Sequence, residues 1–95
     1  MEIKILIADD HSMVREGIKQ LLELDPEFKV IGQARDGKEC LDLLEECTPD
    51  ILLLDINMPN INGLGVLEKL KAIKSKVKVL ILTIHNEVEY LLKAV

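Results

Sequence analysis

Aromatic side chains are almost absent. The 95 residues include one phenylalanine, one tyrosine and no tryptophan, 2% of the chain. Any core must therefore be built from Leu, Ile and Val, which a hydrophobic content of 48% can supply. Long apolar runs are missing too: stretches such as Ile51 to Leu54 are far too short to cross a bilayer, so no membrane association is expected. No repeat, low-complexity tract or linker divides the chain, and its three prolines fall at element ends, so residues 1–95 are expected to form one domain. Positive charge is in deficit. Twelve Lys and Arg against 17 Asp and Glu leave a net −5, which argues against nucleic acid bound by this chain itself. Cysteine is limited to Cys40 and Cys47, about 10 Å apart along an expected helix axis, too far for a disulfide within one helix. Met1-Glu2-Ile3-Lys4 carries no export pattern. The expectation is a cytoplasmic protein with two free thiols half-buried in helix packing.

What is present is an alternation of short apolar runs with longer helical patterns. Ile3 to Ala8 is apolar except for Lys4 and reads as a buried strand. Ser12 to Leu24 places Val14, Ile18, Leu21 and Leu22 at helical spacing, and Asp25-Pro26 ends it, because the residue before proline avoids the helical region. Phe28 to Ala34 is a second strand, alternating as an edge strand does. Gly37 to Cys47 is a helix with Leu41, Leu43 and Leu44 inward, and Ile51 to Leu54 a third strand. Gly63 to Lys74 is a helix carrying Leu64, Leu67, Leu70 and Ile73. Val77 to Thr83 is a fourth strand and Glu87 to Val95 a fourth helix. Four β-α units in succession imply an α/β fold, a doubly wound parallel sheet with helices on its faces.

In such sheets ligands bind beyond the carboxyl ends of the strands, where the strand order reverses. With strand order 2-1-3-4, that point lies between the first and third strands. The first strand ends in Asp9-Asp10, the third in Asp55 and the fourth in Thr83. Three converging carboxylates repel one another unless a cation holds them. An all-oxygen cluster suits Mg²⁺, which keeps several waters and pairs with phosphate. A carboxylate left free there can attack phosphorus and form an aspartyl-phosphate, with the metal neutralising charge on the transferred group. The Thr83 hydroxyl can donate to a phosphoryl oxygen. Taken singly, these residues have plainer readings: Asp9 as a helix cap, Thr83 as a strand-end residue of high β-propensity. Their convergence with Asp55 favours the functional one. His11 reads as a loop residue near the helix start, His85 as a solvent-facing loop residue, and Glu45-Glu46 as a solvated helix face. A flavin- or nucleotide-binding role is disfavoured. Asp9-Asp10 stands where a phosphate-binding loop needs glycines and backbone amides.

Ala8-Asp9-Asp10-His11, then Asp55-Ile56-Asn57-Met58-Pro59 followed by Asn62-Gly63, then Thr83 after an apolar strand, resemble the receiver domains of two-component response regulators. The resemblance runs from residue 3 to the end and implies the flavodoxin-like (receiver) version of the doubly wound fold. Asp-Asp-His and Leu82-Thr83-Ile84-His85 look most like the NarL/LuxR-type class, whose output is a DNA-binding domain. The resemblance implies a role for each matching residue. Asp55 is the phosphoacceptor, Asp10 a direct Mg²⁺ ligand and Asp9 the acid holding the metal's waters. The backbone carbonyl of Asn57 is a further ligand, and Thr83 is the switch hydroxyl. Met58-Pro59 shapes the loop after the third strand, and Asn57 and His85 tune the phosphoryl lifetime. The implied function is that of a phosphoacceptor module and not an enzyme in its own right. Its partner would be a histidine kinase, and its transcriptional output would lie outside this chain.

The family pattern has a fifth strand, with a lysine at its end, and a fifth helix. Neither can be assigned here, so the chain reads as a receiver truncated after the fourth β-α unit. Two expectations follow. The strand-four edge, apolar apart from Lys78, would be poorly protected and would favour a homodimer or exchange of elements. Right-handed crossovers would leave the first helix alone on its face of the sheet. The alternative function is a non-switching, self-associating structural module.

Overall fold

A computed structural model describes residues 2–56, 63–73 and 75–82. The described elements are β1 (Ile3–Ala8), α1 (Ser12–Leu22), β2 (Phe28–Ala34), α2 (Gly37–Glu46), β3 (Ile51–Asp55), α3 (Gly63–Ala72) and β4 (Lys78–Leu82). The fourth helix expected over Glu87 to Val95 lies outside the described residues, as do Asn57, Met58, Pro59, Thr83 and His85. The four strands form one parallel sheet in the order β2-β1-β3-β4, as the β-α alternation implied. Among the described residues no helix is long and apolar enough to cross a membrane.

Each face of the sheet carries its own apolar cluster. Ile5, Ile7 and Leu53 point to one side, where Ile18 and Leu22 of α1 pack on them with Phe28 and Val30. Leu6, Ala8, Leu52 and Leu54 point to the other, under Cys40, Leu41, Leu43 and Leu44 of α2 and Val66, Leu67 and Leu70 of α3. So α1 covers one face and α2 and α3 the other, as right-handed crossovers require. Each fully buried Leu or Ile contributes about 1.5–3 kcal/mol relative to exposure, so β1 and β3 are where most of the fold's stabilisation gathers.

The pairing of β1 with β2 carries a register shift. Ile5 pairs with Val30, but Leu6 pairs with Gly32, leaving Ile31 as an extra residue. The extra residue turns the later half of β2 over. Phe28 and Val30 face α1, whereas Ala34 packs in the α2 cluster. Gly32 sits against Leu6 and Leu43: a Cβ there would meet Leu6 Cδ1 at 3.1 Å.

Helix ends follow their local chemistry. The Asp36 carboxylate accepts from the N–H of Glu39 at 2.8 Å and caps α2, while Glu39 accepts from the N–H of Arg35 at 3.2 Å. At the opposite end of the sheet Asp50 ties the strand entries together. Its side chain accepts from Lys4 N–H, its own N–H donates to the Lys4 carbonyl, and its carbonyl accepts from Lys78 N–H.

Helical spacing alone does not fix the packed faces of α1 and α3, and the expectation for Cys40 needs correction. Leu21, one of the apolar residues at helical spacing on α1, is 71% exposed, and Ile18 and Leu22 make the contact with the sheet. Leu64 of α3 and Ile73 just past its end are exposed, and the buried positions of α3 are Gly63, Val66 and Leu70. A strict three-residue spacing drifts about 60° per step around a helix of 3.6 residues per turn, so its ends leave the packed face. Cys40 is fully buried, not half-buried, because it opens the inward face of α2 directly over the sheet; Cys47 is intermediate and both thiols are free.

Candidate functional site

Parallel register sets the site. Ala8 at the end of β1 pairs with Leu54 of β3. One residue further on, Asp9 and Asp55 therefore stand abreast at the carboxyl edge, between the two strands where the order reverses. The Asp9 N–H donates to the Ala34 carbonyl at 2.9 Å, which holds this edge to β2 as well. Asp55 pairs with Leu82 of β4. Both carboxylates are fully buried, with 0% exposure at Asp9 and at Asp55.

The turn from β1 into α1 adds two more groups. Asp9 Oδ1 accepts from the backbone N–H of His11 at 2.8 Å, closing a tight Asx turn. His11 then serves as the N-cap of α1 without a side-chain cap bond, so Asp9 braces the turn and is not itself the cap. The turn swings the His11 ring back over the acids: Nδ1 lies 3.2 Å from Asp9 Oδ1 and 2.9 Å from Asp10 Oδ1. The hydrogen bond to Asp9 raises the imidazole pKa above its ordinary 6.5, with the charges of Asp10, Asp9 and Asp55 acting in the same direction.

One ligand atom each from Asp9, Asp10, His11 and Asp55 lies within 4.8 Å of the others. At that spacing two carboxylate charges repel by about 3 kcal/mol at an effective dielectric of about 20. Two of the acids have no bulk water to screen them. A set of three carboxylates and one imidazole converging in this way fits a small divalent cation, which removes the repulsion. Of the residues expected at the site, the fold brings together Asp9, Asp10 and Asp55. Asn57 and Thr83 lie outside the described residues.

Two participants were not legible as such in the sequence. The sequence presents His11 as a loop residue, although its place directly after two acids and before a helix is an available signal. Arg15 was not singled out. It donates from its guanidinium to the Asp9 carbonyl and, through Nε, to Gln33 Oε1 at 3.2 Å, bridging α1, the acid turn and β2. Its position one helical turn after His11 was the only clue.

A separate concavity lies at the amino edge of the sheet. It is a cleft of about 890 Å³ between the C-terminal ends of α2 and α3, floored by Leu41, Leu44, Leu70 and Val77. It holds no comparable cluster of metal-binding side chains, so the chemistry is placed by the acids and not by the cleft.

A doubly wound sheet with buried acids at its reversal point defines a receiver-type module. The response regulator receiver domain family matches residues 5–95, and the chain belongs to that family. It is 43% identical over 89 residues to the transcriptional regulatory protein DegU of Brevibacillus brevis, covering 94% of this chain and 38% of that protein. It is 40% identical over 85 residues to the nitrate/nitrite response regulator protein NarL of Escherichia coli K12, covering 90% and 39%. Among solved structures it superposes on a DNA-binding response regulator of the LuxR family from Staphylococcus aureus, with TM-score 0.82 and 33% identity over 97% of this chain and 77% of that one. The module is thus a receiver domain of the NarL/LuxR type, and it spans less than two fifths of the length of the DegU and NarL proteins named above.

Proposed function

We propose that this chain is the phosphoacceptor module of a two-component response regulator and that Asp55 accepts the phosphoryl group. The observation that carries this reading is the fully buried Asp55 carboxylate at the end of β3, abreast of Asp9 and within 4.8 Å of the Asp10 and His11 ligand atoms. The donor is a phosphohistidine of a histidine kinase. An Asp55 carboxylate oxygen attacks phosphorus, the bond from phosphorus to the kinase imidazole breaks, and the imidazole leaves with the electron pair and takes up a proton. Asp10 and Asp55, with the backbone carbonyl of Asn57, would hold Mg²⁺, and Asp9 would hold its waters. When bound, the metal supplies positive charge against the phosphoryl oxygens. Burial at the strand end keeps bulk water from competing with the attack. Arg15 fixes the turn that aims Asp9, and Thr83 offers its hydroxyl to the phosphoryl group and moves toward it.

The output lies beyond this chain. DegU is a transcriptional regulatory protein, and the parent of this module is proposed to switch a DNA-binding domain in the cytoplasm. The added charge at Asp55 is the event that the output reads.

The test is intact-protein mass spectrometry after incubation with a small acyl phosphate and Mg²⁺, beside Asp55→Asn. One added phosphoryl group, lost in Asp55→Asn and on chelation of the metal, is the expected result. Unchanged mass in the wild-type chain, or a gain that survives Asp55→Asn, overturns it.

A further inference from the structure

We propose that His11 is a ligand of the cation site, through Nδ1, and that it raises the site's preference for a borderline first-row ion such as Zn²⁺ over Mg²⁺. The inference rests on the divalent-cation reading of the acid cluster and adds a nitrogen donor to it.

The geometry is specific to Nδ1. That atom lies 2.9 Å from Asp10 Oδ1 and 3.2 Å from Asp9 Oδ1, and one ring nitrogen lies within 4.8 Å of a carboxylate oxygen of Asp55. The ring is held from both sides of its own backbone. Its N–H donates to Asp9 Oδ1 at 2.8 Å, and its carbonyl accepts the first α1 bond, from Arg15 N–H, at 3.0 Å. An N-cap in extended backbone (φ −100°, ψ 110°) thus projects a ring over the acids and not into water alone. The side chain remains half exposed, which leaves a path by which an ion enters. Three carboxylates alone form a hard site suited to Mg²⁺. A neutral imidazole is a poor donor to Mg²⁺ and a good one to Zn²⁺, so its presence separates the two ions.

Any oxygen site holds Zn²⁺ somewhat more tightly than Mg²⁺, so the preference itself decides nothing. Its dependence on His11 does. Calorimetric titration of the wild-type chain, His11→Ala and His11→Gln with Mg²⁺ and with Zn²⁺ is the experiment, with ¹⁵N spectra of the imidazoles on the wild type. The expected result is that both substitutions weaken Zn²⁺ binding on the order of tenfold and leave Mg²⁺ within about twofold. Zn²⁺ should also move the His11 Nδ1 resonance to a metal-bound position, whereas Mg²⁺ should change only the ring's protonation. Equal loss for both ions, or tightening for both, overturns the proposal; tightening would mean that the ring merely occupies the cation's place. Mg²⁺ binding with no effect of His11 on Zn²⁺ overturns this inference alone. A wild-type chain that takes up neither ion overturns the cation site and this inference together.

Discussion

Gly63 stands so close to Ile56 that a Cβ added to it would lie 2.5 Å from Ile56 Cα and 2.7 Å from the Asp55 carbonyl oxygen. The Gly63 N–H also donates to the Ile56 carbonyl at 2.8 Å. The first turn of α3 is thereby pinned against the end of β3, directly behind Asp55. A side chain at this position has to push backbone away from backbone. Gly63→Ala should destabilise the chain by about 1–3 kcal/mol, the usual cost of overpacking. Because the displaced atoms belong to Asp55 and its neighbour, it should also weaken Mg²⁺ binding. Urea unfolding and metal titration of this one variant check both, and a stability within about 0.5 kcal/mol of wild type would refute the pinning.

The three carboxylates of the cluster carry more negative charge than the His11 imidazole can offset, so its metal-free form should be strained. Asp9→Asn keeps an oxygen that can accept from His11 N–H while removing one of the two fully buried carboxylates. In the presence of a chelator the variant should be more stable than wild type by about 1 kcal/mol, a common gain when a functional site is relieved. Addition of Mg²⁺ should reverse the order. At 100 times its dissociation constant an ion that binds only the folded chain stabilises it by about 2.7 kcal/mol, and the variant loses that gain. Thermal unfolding with and without Mg²⁺ reads both effects, and a variant less stable than wild type in chelator would remove the claim of strain.

Cys40 should behave as part of the core. Burial pushes its thiol pKa up from an ordinary 9.0 to about 12, with the charge of Asp36 adding to the effect. A folded pKa above the unfolded one means that the contribution is complete below about pH 9 and is lost as pH rises from 9 toward 12. Folded protein at neutral pH should therefore offer Cys47 to a thiol reagent and withhold Cys40 until it unfolds. Peptide mapping after brief alkylation checks the site, and loss of stability should begin near pH 9. Labelling of both cysteines at equal rates in folded protein would contradict this.

The strands, their order and the meeting of Asp9, Asp10 and Asp55 were legible because each rests on a local signal with one outcome. Apolar runs between Pro- and Asp-bearing turns mark β1 and β3, and β-α alternation with right-handed crossovers leaves few topologies. Less legible were features that depend on three-dimensional closeness. The bulge at Ile31 leaves no mark in composition, yet it decides which face Gly32 and Ala34 meet. The exposure of Leu21, Leu64 and Ile73 is not legible either, because apolar residues at near-helical spacing look alike until the neighbouring element is in place. His11 and Arg15 were obscured for a related reason. Their part in the site comes from an Asx turn and from a guanidinium reaching the Asp9 carbonyl, contacts that single residues in a sequence do not announce.

The His11 imidazole should titrate above its ordinary 6.5 in the metal-free chain, because its hydrogen bond to Asp9 favours the protonated ring and the Asp10, Asp9 and Asp55 charges add to it. A folded pKa raised in this way stabilises the fold fully below the unfolded value, and the contribution is lost as pH rises through the folded one. The difference in melting temperature between wild type and His11→Ala, measured in chelator, should therefore favour wild type at pH 5.5 and shrink steadily toward pH 8.5. NMR titration of the ring gives the midpoint directly. Asp9→Asn should lower that midpoint, since it removes the charge behind the largest contribution, whereas substituting the distant Asp50 should leave it in place. A wild-type midpoint at or below 6.5 would mean that the ring does not hold its position over the acids in solution.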